Sequence, residues 1–143
     1  MKNKKSLILI FISALMLNVL ISGCGQKQEP GQTYDVIIST EYGDLYYPDQ
    51  WADLINTEQV KAGDTITVSF STRIDDTSYA LFDVTIGGEA GALVGELTDS
   101  GGTKRSVYIK TSEIPEDPDL DEGEQNRLYA MQEDLNYLID NLK

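Results

Sequence analysis

Between Asp64 and Ile74 the chain alternates without interruption. Ile66, Val68, Phe70, Thr72 and Ile74 occupy one parity, and Thr65, Thr67, Ser69, Ser71 and Arg73 the other. Successive side chains of a strand point to opposite faces, so this segment predicts a β-strand with its apolar face buried and its hydroxyl-rich face toward water. A strand buried on one side only needs partners in the plane and a cover on the apolar face, and the neighbouring sequence is read for both.

Tyr79 to Ile86 continues the pattern. Ala80, Phe82, Val84 and Ile86 are expected on the inner side, and Tyr79, Leu81, Asp83 and Thr85 on the other. The intervening Asp75-Asp76-Thr77-Ser78 has the composition of a turn, which predicts a hairpin. Upstream, a strand is expected at about Tyr34 to Thr40 with Val36 and Ile38 inward. A turn at 41–44 then leads to a short strand through Leu45, Tyr46 and Tyr47, which Pro48 ends because proline has no amide hydrogen for the ladder. The segment Asp49 to Glu58 is read as one or two helical turns around Trp51, Leu54 and Ile55. Downstream, Ala92 to Thr98 and Thr103 to Thr111 read as strands joined by a tight turn at Asp99-Ser100-Gly101-Gly102, with Val107 and Ile109 inward. No helical pattern long enough for a crossover separates these strands, so the sheet should be antiparallel.

The period changes near the end. Leu128, Met131, Leu135, Leu138 and Leu142 recur at steps of three and four with Ile139 beside them, the spacing of an amphipathic helix. Asp119-Leu120-Asp121-Glu122 supplies a capping-box spacing, Asp119 capping and Glu122 reaching back. The fold class expected is α+β, an antiparallel sheet of about five to six strands with this C-terminal amphipathic helix packed on it. The 111 residues from 33 to 143 suffice for one such domain.

Composition removes most familiar chemistry. The chain has no histidine and one cysteine, so Ser-His and Cys-His catalytic pairs, an internal disulfide and a thiolate zinc site are excluded. With 24 acidic against 11 basic side chains the formal charge is -13, which opposes nucleic-acid binding.

The first 24 residues have their own logic. Lys2, Lys4 and Lys5 precede a run from Leu7 to Ile21 that only Ser13 and Asn18 interrupt. That is the layout of a signal peptide, too short for the roughly 20 residues of a spanning helix. It ends at Ile21-Ser22-Gly23-Cys24, which resembles the lipobox of bacterial lipoproteins. The resemblance implies recognition of Ile21, Ser22 and Gly23, diacylglyceryl transfer to the Cys24 sulfur, cleavage before Cys24, and retention on the outer face of the cell membrane. Two acyl chains suffice for stable anchoring where one does not. Loss of Lys2, Lys4 and Lys5 would lower the 11 basic residues to 8 and take the charge to -16. The organisation expected is therefore a leader at 1–23, a polar flexible tether at 24–32, and one domain at 33–143.

Four features of the domain invite a chemical reading. Asp117-Pro118-Asp119-Leu120-Asp121-Glu122-Gly123 opens like an EF-hand loop, but the glycine comes one position late and Leu128 stands where a bidentate glutamate belongs, so no metal is expected. Ile86-Gly87-Gly88-Glu89-Ala90-Gly91 is glycine-rich yet lacks the ending of a phosphate loop, and a strand follows it where a helix would be needed. A small carboxylate-dependent hydrolase would need two acids in a cleft, for which a sheet-and-helix domain of this size leaves little room beside its core. Tyr42, Tyr46, Tyr47 and Trp51 cluster around a turn and a strand end, and form the candidate binding patch for a protein or glycan. The resulting expectation is a lipid-anchored, non-enzymatic protein with a binding or structural role at the cell envelope and no cofactor. A glycan- or cell-wall-binding adhesive module and a small carboxylate-dependent hydrolase are its alternatives.

Overall fold

The computed structural model describes residues 35–142. The expected leader, the lipobox at Ile21 to Cys24 and the tether lie outside the described residues.

Among the described residues seven strands form two antiparallel sheets. Strands β1 (Val36–Thr40) and β2 (Gly43–Tyr47) make a hairpin of their own, with Val36 opposite Tyr47 and Thr40 opposite Gly43. Strands β3 (Ile55–Ala62), β4 (Thr65–Ile74), β5 (Thr77–Ile86), β6 (Ala92–Thr98) and β7 (Lys104–Thr111) build a second sheet in the order β3-β4-β5-β7-β6. Two helical segments follow among the described residues, α1 (Glu122–Glu133) and α2 (Leu135–Asp140). The α+β expectation holds, but as a five-stranded sheet plus a separate hairpin in place of one sheet of five to six strands.

Strand β4 has the alternation its sequence announces, with Ile66, Val68, Phe70, Thr72 and Ile74 all buried. Strand β5 departs from it. Phe82 pairs with Phe70 while Ala80 pairs with Ser71, so Leu81 is the extra residue of a β-bulge. A bulge shifts the parity of everything beyond it. Consequently Tyr79 and Leu81 are buried together with Phe82, Val84 and Ile86, and Ala80, expected inside, is exposed. The bulge is held from the helix side. Leu81 carbonyl oxygen accepts from the Ser112 amide at 2.9 Å and from Gln132 Nε2 at 2.8 Å, and Gln132 also donates to the Ser112 carbonyl.

In the segment 49–58 the expected helical turn is found only at the start. The segment holds a single 3-10 turn at Asp49–Trp51, after which Ile55 opens β3, a strand the sequence reading did not anticipate. Ala62 pairs with Thr65 across the two-residue loop Gly63-Asp64, where Gly63 at φ +62° adopts the left-handed conformation such tight hairpins need. The next hairpin turns on Asp75-Asp76 alone, since Ile74 pairs with Thr77.

The core lies between the five-stranded sheet and a layer made of the β1–β2 hairpin and the helices. Its centre is aromatic. Phe70 and Phe82 stack with centroids 4.6 Å apart, and Tyr47 sits tilted over both at 5.7 and 6.0 Å. Leu45, Leu97, Val107, Leu128, Met131 and Leu138 complete it. Leu135, Ile139 and Leu142 are only partly buried against this cluster.

Helix α1 starts two residues later than the sequence reading placed it. The cap is Asp121, whose Oδ1 accepts from the Glu124 amide at 2.8 Å while Glu124 Oε2 accepts from the Asp121 amide at 3.0 Å. Asp119 belongs instead to a turn closed on Asp117, which takes the Asp119 amide on Oδ1 and the Leu120 amide on its carbonyl. Both aspartates have a glutamate three residues on, and the Asp117 turn decides between them.

Candidate functional site

The four rings of the candidate patch separate. In β2, Leu45 and Tyr47 share the core-facing parity and both are fully buried. The Tyr47 hydroxyl donates to the Met131 carbonyl, one of the last-turn carbonyls of α1 that lack a partner within the helix. Burial, and then the nearby Asp134 carboxylate, push its phenol well above the ordinary tyrosine range.

Tyr42 stands in the β1–β2 turn, where alternation assigns no side, and it too is buried. Its ring is covered by the Arg105 guanidinium at 4.3 Å and approached by Lys61 Nζ at 6.0 Å, two cations from the far ends of β7 and β3. These two tyrosines are core, so they drop out of any surface patch. Tyr46 and Trp51 remain, both half buried, with Tyr46 opposite the exposed Ile37 on the outer side of the hairpin. Trp51 is tied down. Its Nε1 donates to Asp134 Oδ2 at 2.6 Å, and Gln50 Nε2 donates to the same oxygen at 2.8 Å. Asp134 occupies the junction between α1 and α2 with ψ -3°, so this carboxylate joins the 3-10 turn to the point where the helix breaks.

The acidic segment is engaged in local structure. Asp117 Oδ2 accepts from the Tyr79 hydroxyl at 2.7 Å, and that bond, followed by the Asp119 amide, holds its carboxyl below the usual carboxylate range. An open cleft of about 530 Å³ runs along this segment, lined by Asp117, Asp121, Glu122 and the exposed Tyr129 among others. Among the described residues no group of three or more histidine, cysteine, aspartate or glutamate side chains is placed to hold a metal ion.

In the glycine-rich loop the backbone itself is crowded. The Gly87 amide donates to the Ser106 carbonyl at 3.0 Å, and a Cβ on Gly91 would lie 2.2 Å from the Ile109 carbonyl oxygen. These glycines permit close approach of neighbouring strands. Asp99 is held by its own turn. Its Oδ1 accepts from the Thr103 and Gly101 amides at 2.8 and 3.0 Å, and Oδ2 takes Arg105 Nε at 3.3 Å. The Thr103 bond, with smaller contributions from Arg105 and Gly101, holds this carboxyl down.

One surface element has no counterpart in the sequence reading. Strand β3 is an edge of the five-stranded sheet, and seven of its eight residues are exposed. The signal available for it was the Gly63-Asp64 dipeptide, a two-residue hairpin loop between Ile55 to Ala62 and the evident strand β4.

Among the described residues no helix is long and apolar enough to cross a membrane. Comparison of the chain with protein-family models, with curated proteins and with solved structures yields no match in any of the three.

Proposed function

We propose that the chain is a lipoprotein, acylated on Cys24, cleaved before that residue, and held on the extracytoplasmic face of the cell membrane, where its domain has a binding or structural role without catalysis. The observation that carries this reading is the agreement of three independent features: basic residues at the start, an apolar run of 15 positions, and the chain's only cysteine directly after Ile21-Ser22-Gly23.

In this reading the C-terminal segment is an amphipathic cover for the sheet, supported by the burial of Leu128, Met131 and Leu138 on the core side. The glycan-binding alternative would rest on Tyr46 and Trp51, the two of its four rings that are not core. Fractionation tests the proposal. The wild-type chain should sediment with membranes and be released only by detergent, and Cys24→Ala should appear in the released fraction or as uncleaved precursor. A Cys24→Ala chain processed and retained like the wild type overturns the reading.

A further inference from the structure

An edge strand presents a row of unpaired backbone N–H and C=O groups, and another extended backbone is the partner that satisfies such a row. The two edges of the five-stranded sheet differ in how well they could offer one. Strand β6 has an irregularity between Leu93 and Gly95, whereas β3 keeps an unbroken register with β4 through all eight pairs, from Ile55 opposite Thr72 to Ala62 opposite Thr65. Strand β3 has no proline, no bulge and seven exposed residues out of eight. Natural edges are commonly blunted by lysine, proline or a bulge. Here the one lysine, Lys61, is already bonded to Glu41.

The charge around this edge selects among extended partners. Asp53 precedes the strand, Glu58 lies within it and Asp64 follows it, so with Glu41 there are four acids against Lys61. A second copy of a chain with formal charge -13 would bring like charge to the same edge. Glu58 and Val60 share the outer side of the sheet, opposite Ser69 and Thr67, and Val60 is more than half exposed. A strand added beside β3 would set its own side chains next to these two.

We propose that β3 accepts an extended basic segment of another protein as a sixth strand, with a basic residue beside Glu58 and an apolar residue beside Val60. This deepens the binding role proposed above by naming its surface and partner. The acyl anchor takes no part in its test, so each reading can fail without the other.

The probe is a twelve-residue synthetic peptide of repeated Lys-Thr-Val-Thr, added to the complete chain in detergent. Binding is read by fluorescence anisotropy and located by amide exchange. The expected result is slowed exchange at residues 55–62, with affinity falling at least about tenfold for a Glu-Thr-Val-Thr peptide and for a Lys-Thr-Val-Thr peptide N-methylated on alternate amides along one edge. The methylated peptide keeps every charge and side chain but cannot pair. Equal binding by it, equal binding by the acidic peptide, or protection outside 55–62 overturns the proposal. So does protection, before any peptide is added, of those amides of 55–62 that do not bond β4, in a dimer or in a monomer, because the outer edge is then already filled by a second copy or by the chain itself.

Discussion

Replacement of Tyr47 by phenylalanine isolates one bond at the centre of the fold. The ring would remain over Phe70 and Phe82, so aromatic packing and buried area are nearly conserved, and only the hydroxyl bonded to the Met131 carbonyl is lost. That carbonyl would be left buried without its donor. Leaving a buried acceptor unsatisfied costs about 1–3 kcal/mol. For a domain of roughly this size, 1 kcal/mol shifts Tm by about 4 °C, so Tyr47→Phe should melt about 4–12 °C lower. Tyr47→Ala removes the ring as well and should cost about 3–5 kcal/mol. Urea unfolding of the three chains, read by tyrosine and tryptophan fluorescence, gives both differences. A pH series adds an independent check. The raised phenol pKa means stability is fully present below the unfolded tyrosine value of 10.0 and is lost as pH rises toward the folded one, so the gap between wild type and Tyr47→Phe should close in strong alkali. A Tyr47→Phe chain within about 0.5 kcal/mol of wild type at neutral pH would refute the bond between strand and helix end.

The bulge in β5 predicts opposite outcomes for adjacent residues. Leu81→Ala should cost about 2–5 kcal/mol and Ala80→Ser less than about 0.5 kcal/mol in the same unfolding assay, whereas unbroken alternation would reverse the order. Asp121→Ala should lose about 0.5–2 kcal/mol as a true cap. Circular dichroism of the helix should show the larger fraying for Asp121→Ala than for Asp119→Ala, and the reverse would return the helix start to Asp119. Asp99 and Asp117 are held below the ordinary value of 3.8, so their stabilisation is present above it and lost as pH falls, while Tyr79 and Tyr137, hydrogen-bonded to Asp117 and Asp35 and held above 10.0, lose theirs as pH rises. Tm should therefore be flat between about pH 5 and 9 and fall on both sides, and the deficit of Tyr79→Phe should be largest within that plateau; an equal deficit at pH 3, 7 and 11 would contradict the Tyr79–Asp117 bond.

What the sequence disclosed depended on how cleanly a side chain's period survived its surroundings. Strand β4 pairs on both edges and keeps one parity buried throughout, so its alternation was sufficient. In β5 both parities are apolar around Tyr79, Leu81, Phe82 and Val84, a pattern that a straight strand buried on one side does not need and that a bulge explains. Strand β3 escaped because an exposed edge imposes little hydrophobic selection: Asn56, Glu58, Gln59 and Lys61 carry no apolar alternation, and the first half of the strand was read with the helical turns of 49–58. In the candidate patch, parity correctly separated Leu45 and Tyr47 from Tyr46. Tyr42 had no parity to read, and the side chains that cover it, Lys61 and Arg105, arrive from strands 19 and 63 residues later. Likewise nothing local to Trp51 indicates Asp134, which lies 83 residues further along the chain.

The chemical state of Cys24 decides whether the chain is a lipoprotein. Mass spectrometry of the N-terminal peptide from the membrane-bound chain reads that state directly. The prediction is a mature protein that begins at Cys24 and carries a diacylglyceryl group on its sulfur; an unmodified Cys24 thiol, or an intact sequence running through Gly23 into Cys24, would contradict it.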